Sequence, residues 1–281
     1  MSQVRIITDS SSDLSSDREG LLRVIPLKVT FGDTEYRDGV DLTFDKFYEK
    51  LIESDELPKT SQATPIQFEE EFEDAKKEGI DVVVITISSK LSGTYQSACI
   101  AAQEFDNVYV VDSENATVGQ RTLVQYALEL AGKGLDGREI ADILNRDKKK
   151  IRLVALLDTL EYLKKGGRIS ATAAAIGSLL SIKPVIAVVD GELEVLGKAR
   201  GSKQGNNLLV QHIEATGGID FTKPFFLGYT GLSDVTINKY IEDSKSLWEE
   251  NTTELPVTRV GAAVGTHIGP GGIAVAFFSI N

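Results

Sequence analysis

The stretch Val4-Arg5-Ile6-Ile7-Thr8-Asp9-Ser10-Ser11-Ser12-Asp13 decides the fold. A short, nearly all-apolar run stops abruptly in hydroxyl and carboxylate side chains. The same cadence returns at residues 82–87, followed by Ser88-Ser89-Lys90-Leu91-Ser92-Gly93-Thr94, and at 108–111, followed by Asp112-Ser113-Glu114-Asn115-Ala116-Thr117. Runs that are apolar on both alternations read as parallel strands covered on both faces. With an amphipathic segment after each, they read as βαβ units with helices on both sides of the sheet.

Working outward, residues 24–31 lead through Gly32-Asp33 into 34–36, the pattern of a hairpin. Phe44, Phe47, Tyr48, Leu51 and Ile52 recur at helical spacing behind Thr43 as N-cap. Pro58 and Pro65 bracket Lys59-Thr60-Ser61-Gln62-Ala63-Thr64 and hold it as an extended loop, because proline restricts itself and the residue before it. Thr64-Pro65-Ile66-Gln67 is a capping box with proline at the first helical position, and the helix it opens carries Phe68, Phe72 and Ala75 on one face.

After Lys150 the pattern turns to hairpins mixed with helices. Asp190-Gly191 joins two apolar runs as a hairpin turn, residues 225–229, 257–263 and 273–280 are further candidate strands, and a helix is expected over 235–248. The expected architecture is therefore α/β: a mostly parallel sheet with helices on both faces in residues 1–150, then an α+β domain with a largely antiparallel sheet in 151–281.

Composition narrows the function. Among 281 residues, 30 Lys+Arg against 42 Asp+Glu give a formal charge of -12, which disfavours a nucleic-acid partner or standing contact with an anionic membrane. The 42% apolar and 26% charged residues are those of a globular chain able to fill a core. Cys99 is the only cysteine and there are two histidines, so neither an intrachain disulfide nor a convincing metal cluster is expected. The first apolar run is too short for a signal sequence, and no stretch reaches the length of a membrane span. A cytoplasmic protein is expected, with no cofactor and at most transient membrane contact.

A doubly wound sheet gathers ligands at the carboxyl ends of its strands. Ser92-Gly93-Thr94 is the most suggestive cluster, since it opens a helix whose free N–H groups suit an anion, although capping alone also explains it. Thr60 and Ser61 add hydroxyls on the proline-bracketed loop, and Thr60 with Ser92 can grip the two oxygens of one carboxylate if that loop folds over the sheet. His267, within Gly265-Thr266-His267-Ile268-Gly269-Pro270-Gly271-Gly272, is read as an imidazole on a glycine-rich loop, whereas His212 reads as a helix-surface residue. Basic residues gather at Lys164-Lys165-Gly166-Gly167-Arg168 and at 197–203, as solvated loops or as a patch for a phosphate or acidic partner.

The competing class is an enzyme. A hydrolase would use Ser10 or Ser92 with His267 and an aspartate, but the Gly-x-Ser-x-Gly elbow is missing. A phosphotransferase acting on a small acidic substrate would use the basic loops, but neither forms a nucleotide-binding P-loop. No Gly-x-Gly-x-x-Gly follows the first strand, which disfavours a dinucleotide site.

Taken together, Ile6-Ile7-Thr8-Asp9-Ser10-Ser11-Ser12-Asp13-Leu14, Lys59-Thr60-Ser61-Gln62, Ser92-Gly93-Thr94-Tyr95-Gln96-Ser97-Ala98, Leu163-Lys164-Lys165-Gly166-Gly167-Arg168-Ile169 and Gly265-Thr266-His267-Ile268-Gly269-Pro270-Gly271 resemble the DegV family in order and spacing. That family includes the fatty-acid-binding subunits of bacterial fatty acid kinase. The resemblance implies a long-chain fatty acid buried between two domains, in a carrier that does no chemistry of its own. It implies that Thr60 and Ser92 bind the carboxylate, with Ser61 and His267 beside the headgroup. It further implies that Arg168 and Arg200 face a separate ATP-using fatty acid kinase. Residues 171–182, with Ile176, Leu179 and Leu180, are an expected channel wall or simply a core helix. Ala63 departs from the resemblance, since many relatives carry proline there, and the exchange is expected to loosen the loop.

Overall fold

The computed structural model describes residues 4–54, 56–169 and 182–280. The opening run is strand β1 (Val4–Asp9), buried along its whole length. It pairs in parallel with β2 (Leu22–Ile25) and with β6 (Asp81–Thr86), and β6 pairs in parallel with β7 (Val108–Asp112), giving the order β2-β1-β6-β7.

Alternation along these strands feeds two cores, as a period of two requires. Ile6, Val83 and Ile85 pack on helices α4 (Thr117–Gly132) and α5 (Gly137–Asp147). Ile7, Val82 and Val84 pack on α2 (Pro65–Glu78) and α3 (Thr94–Ala101), which bring Phe68, Phe72 and Ala98. The expected capping box at Thr64 and Gln67 is present, and Thr43 caps α1 (Phe44–Glu53) by accepting from Lys46 N at 3.4 Å.

The hairpin expected over 24–36 is corrected. Pro26 breaks the run, so β2 joins the parallel sheet, while β3 (Lys28–Phe31) and β4 (Thr34–Arg37) form the hairpin in a second, three-stranded sheet. The loop expected at Thr60 is the third strand of that sheet, β5 (Lys59–Ser61), paired antiparallel with β3. Proline bracketing and strand pairing both demand extended backbone, so the sequence signal does not separate them.

From Ile151 onward a six-stranded sheet runs β10-β9-β8-β13-β11-β12, where β8 is Ile151–Leu156, β9 Ile182–Val189, β10 Glu192–Arg200, β11 Phe225–Tyr229, β12 Val257–Arg259 and β13 Ile273–Phe278. All its pairs are antiparallel except β11 with β12. The β9–β10 turn holds Asp190 at φ 47° and Gly191 at φ 83°, the left-handed pair that a two-residue hairpin needs. One face, with Val154, Val185 and Val275, packs on α7 (Ser202–Ala215) and α8 (Val235–Asp243). The expected helix over 235–248 ends early, giving way to a 3-10 turn at Lys245–Leu247.

The strand expected over 257–263 is also corrected, because it stops at Arg259 and residues Ala262–Ile268 form helix α9. A short apolar run of small residues is equally compatible with either state until its neighbours are known. His267 therefore sits in the last turn of a helix rather than on a loop.

Phe72 is fully buried, with its ring 5.5 Å from that of Phe105 and 6.1 Å from that of Phe68. Phe72→Ala is expected to lower unfolding free energy by about 3–5 kcal/mol, read as a shifted midpoint in chemical denaturation.

Candidate functional site

A cavity of about 370 Å³ lies between the parallel sheet and the six-stranded sheet, within the range of roughly 300–1,000 Å³ usual for small-molecule clefts. Its far wall is the second face of the six-stranded sheet, where Leu153, Ala155, Ile186, Val188 and Ala274 present apolar surface. Ala155 and Ala274 leave room that larger side chains would fill. Of the wall expected over 171–182, residues 171–181 lie outside the described residues and Ile182 begins β9.

Thr60, Ser61, Ser92, Arg168 and His267 all line this cavity. Arg200 does not, and lies exposed at the end of β10. Thr60 is delivered by β5, and Ser92 by the turn between β6 and α3. His267 comes from α9, and Arg168 from the segment after α6 (Glu161–Lys165).

Thr60 Oγ1 and His267 Nε2 share a hydrogen bond of 2.8 Å, while His267 Nδ1 is buried without a partner among the described residues. A buried N–H without an acceptor is rarer than an unmatched lone pair. Hydrogen-bond accounting therefore puts the proton on Nε2, donating to Thr60 and leaving the threonine hydroxyl hydrogen free for a ligand. Ser92 Oγ accepts from Thr94 N at 3.2 Å and lies 2.9 Å from Thr94 Oγ1. Two hydroxyls and a neutral imidazole thus gather at one end of an apolar chamber, an arrangement that takes a carboxylate as hydrogen-bond acceptor.

Close packing holds these segments together. Gln62 Nε2 donates to Ser97 Oγ at 2.9 Å, and its Oε1 lies so near Gly93 that a Cβ there would come within 2.0 Å. Gly166 is constrained in the same way, since a Cβ would stand 2.1 Å from His267 Nδ1. Arg168 spans both sides, donating from Nε to Leu91 O at 3.2 Å and from Nη1 to Gly166 O at 2.6 Å. Ala63 is fully buried and its N–H donates to Thr94 Oγ1 at 3.4 Å, a bond that a proline could not make. The exchange expected to loosen this loop therefore adds a donor to the Ser92–Thr94 pair.

The hydroxyl cluster after β1 is mostly architecture. Asp9 accepts from Ser11, from Ile87 N at 2.8 Å and from Gln120 Nε2 at 3.2 Å, and burial pushes its carboxyl above the ordinary range. Ser10 donates to Asp38, and of the three serines only Ser11 reaches the cavity lining. The hydrolase alternative finds no triad among the described residues, because no carboxylate orients His267 and Ser92 is paired with Thr94. No group of His, Cys, Asp and Glu suited to a metal occurs among the described residues. No helix among them is long and apolar enough to cross a membrane.

Sequence reasoning missed Gln62, Gly166 and Asp38 as parts of this arrangement. Gln62 and Gly166 stood inside quoted motifs, but their role is a close approach to partners distant in the chain. Asp38, in the turn after β4, carries no local signal.

The model of the DegV family matches residues 3–279. The chain belongs to the DegV family. A DegV domain-containing protein of Caldanaerobacter subterraneus subsp. tengcongensis is 35% identical over 286 residues, covering 99% of both chains. Among solved structures, a DegV family protein from Thermus thermophilus, described for its fatty acid binding, superposes with a TM-score of 0.87 at 33% identity over 99% of this chain and 100% of that one. The B3 protein of the Streptococcus pneumoniae fatty acid kinase, loaded with linoleic acid, gives 0.85 at 22% identity over 98% and 99%, a likeness of fold alone.

Burial, and then the Arg168 charge, push His267 down from 6.5 to about 4. At His267 the unfolded chain thus binds a proton between those values that the folded one refuses, and the stability contributed by this group is lost as pH falls from about 6.5 through 4. NMR titration of the ligand-free protein is expected to show a neutral imidazole throughout the physiological range, with protonation only near pH 4.

Proposed function

We propose that this DegV protein is a carrier that buries the chain of a long-chain fatty acid in the cavity and holds its carboxylate on the Thr60 and Ser92 hydroxyls, with His267 behind Thr60 beside the headgroup and Ser61 at the mouth. The observation that carries this reading is an apolar chamber ending in two hydroxyls and a neutral imidazole. The fatty acid binding described for the Thermus thermophilus relative supports it. Each sequestered methylene contributes about 0.8 kcal/mol, so the tail supplies affinity. The hydroxyls choose acid over alcohol or ester.

The carrier reading includes a division into residues 1–150, which contribute the Thr60 and Ser92 segments, and 151–281, which contribute the apolar wall and His267. It also includes a separate ATP-using kinase as partner, receiving the carboxylate on the side where Arg168 half-emerges and Arg200 is exposed. A reducing cytoplasm suits the single cysteine.

Denaturing the purified protein and analysing the released molecules by mass spectrometry is expected to yield a long-chain fatty acid. Recovery of none, together with no binding of added fatty acid by the delipidated protein, would overturn the carrier reading. Thr60→Ala and Ser92→Ala are each expected to weaken fatty-acid binding by about 1–3 kcal/mol in calorimetry. Arg168→Ala and Arg200→Ala are expected to retain the lipid yet lose phosphorylation of it by a cognate kinase. Undiminished turnover would remove those two from the partner face.

A further inference from the structure

Among the described residues His267 has one hydrogen-bond partner, Thr60, and its other ring nitrogen is buried with none. Apart from Thr60, no polar partner among the described residues holds the ring, so whether the imidazole reaches Thr60 depends on where the backbone of α9 carries it and on its packing against Gly166. That helix begins at Gly261, which offers no capping side chain. Its first N–H groups are met instead by two aspartates from the beginning of the chain.

Asp38 Oδ1 accepts from Ala262 N at 3.0 Å and Asp38 Oδ2 from Ala263 N at 3.2 Å. Asp13 Oδ1 accepts from Gly261 N at 2.7 Å. Neither carboxylate is free to follow the helix. Asp38, only 4% exposed, also accepts from Ser10 Oγ at 2.9 Å, and that oxygen in turn accepts from Leu27 N at 3.0 Å. Asp13 accepts from Thr117 Oγ1 at 2.6 Å, and its carbonyl accepts from Arg121 Nη1 at 2.7 Å. Thr117 lines the cavity and stands at φ 44°, a left-handed conformation costly for a β-branched residue and retained only where its surroundings impose it.

We propose that Asp38, seconded by Asp13, is a positioning residue for carboxylate recognition. It seats the start of α9 so that His267, five residues further on, reaches Thr60. The helix advances about 1.5 Å per residue, so His267 lies roughly 7.5 Å along the axis from Ala262. Over so short a rod, a shift of about 1 Å at the start passes almost undiminished to the ring, and a hydrogen bond does not survive that displacement. Removing the carboxylate also strands helix N–H groups inside the protein, which favours withdrawal of the helix from its seat.

The inference rests on the fatty-acid reading, and the experiment separates the two. Delipidated wild type, Asp38→Ala and Asp38→Asn are compared for binding of a long-chain fatty acid and of the fatty alcohol of the same length. The His267 imidazole resonances are recorded alongside. Wild type is expected to prefer the acid. Both variants are expected to lose that preference at least tenfold, with little change in alcohol affinity and a moved His267 signal. Where Asp38→Ala does not fold, Asp38→Asn, which keeps the side-chain volume, carries the comparison.

A merely structural Asp38 would lower the melting temperature and weaken both ligands alike, and an unchanged acid-to-alcohol ratio with an unmoved His267 signal would overturn the proposal. A wild type that binds neither ligand would remove the fatty-acid reading, and this inference with it.

Discussion

Two carboxylates from the first forty residues end on the backbone of a helix more than two hundred residues away, and much of the remaining structure is arranged around that meeting. A helix start inside a protein leaves N–H groups that water cannot reach, and α9 has no side chain of its own to satisfy them. Asp13 and Asp38 satisfy them while being gripped by Ser10, Thr117 and Arg121. Burial raises the Asp38 carboxyl above its usual range, so the site is demanding of its donors. The parallel sheet, the small three-stranded sheet and the six-stranded sheet are thereby tied at one point, and the cavity opens beside it.

In the carboxylate site proposed beside that tie, the groups that would hold the ligand are neutral hydroxyls. Burial discourages charge on His267, and Thr60 and Ser92 remain as neutral hydroxyls supported from behind by His267 and Thr94. Arg168 donates from Nε and Nη1 to the carbonyls of Leu91 and Gly166, linking the segments that carry Ser92 and pack on His267. The surplus of acidic residues over the whole chain describes the surface facing water and bears little on this enclosed end.

The sequence was most legible where local pattern and burial coincide. Strands β1, β6 and β7 are apolar on both alternations because both faces are covered, and the Asp190-Gly191 turn carries its conformation in its residue types. Ser92 stood out because a hydroxyl cluster past a strand end is a chemical signal as well as a structural one, and Thr60 because two prolines bracket its hydroxyl-bearing segment. Pro26 divides one apolar run between two sheets, and Val260 with its small neighbours passes from strand to helix. Both outcomes depend on partners remote in the chain. Asp38 was illegible for the same reason: a single aspartate in a turn announces nothing until the helix it caps is in place.

The central strands of the six-stranded sheet divide their residues between two tasks. Val154, Val185 and Val275 face the helices that stabilise the fold, while their immediate neighbours Ala155, Ile186 and Ala274 face the chamber. Exchanges at 155 or 274 alter the length and girth of what fits inside, whereas exchanges at 154 or 275 disturb the support behind. Inheritance can therefore tune ligand shape one residue at a time along a surface whose reverse side stays constant.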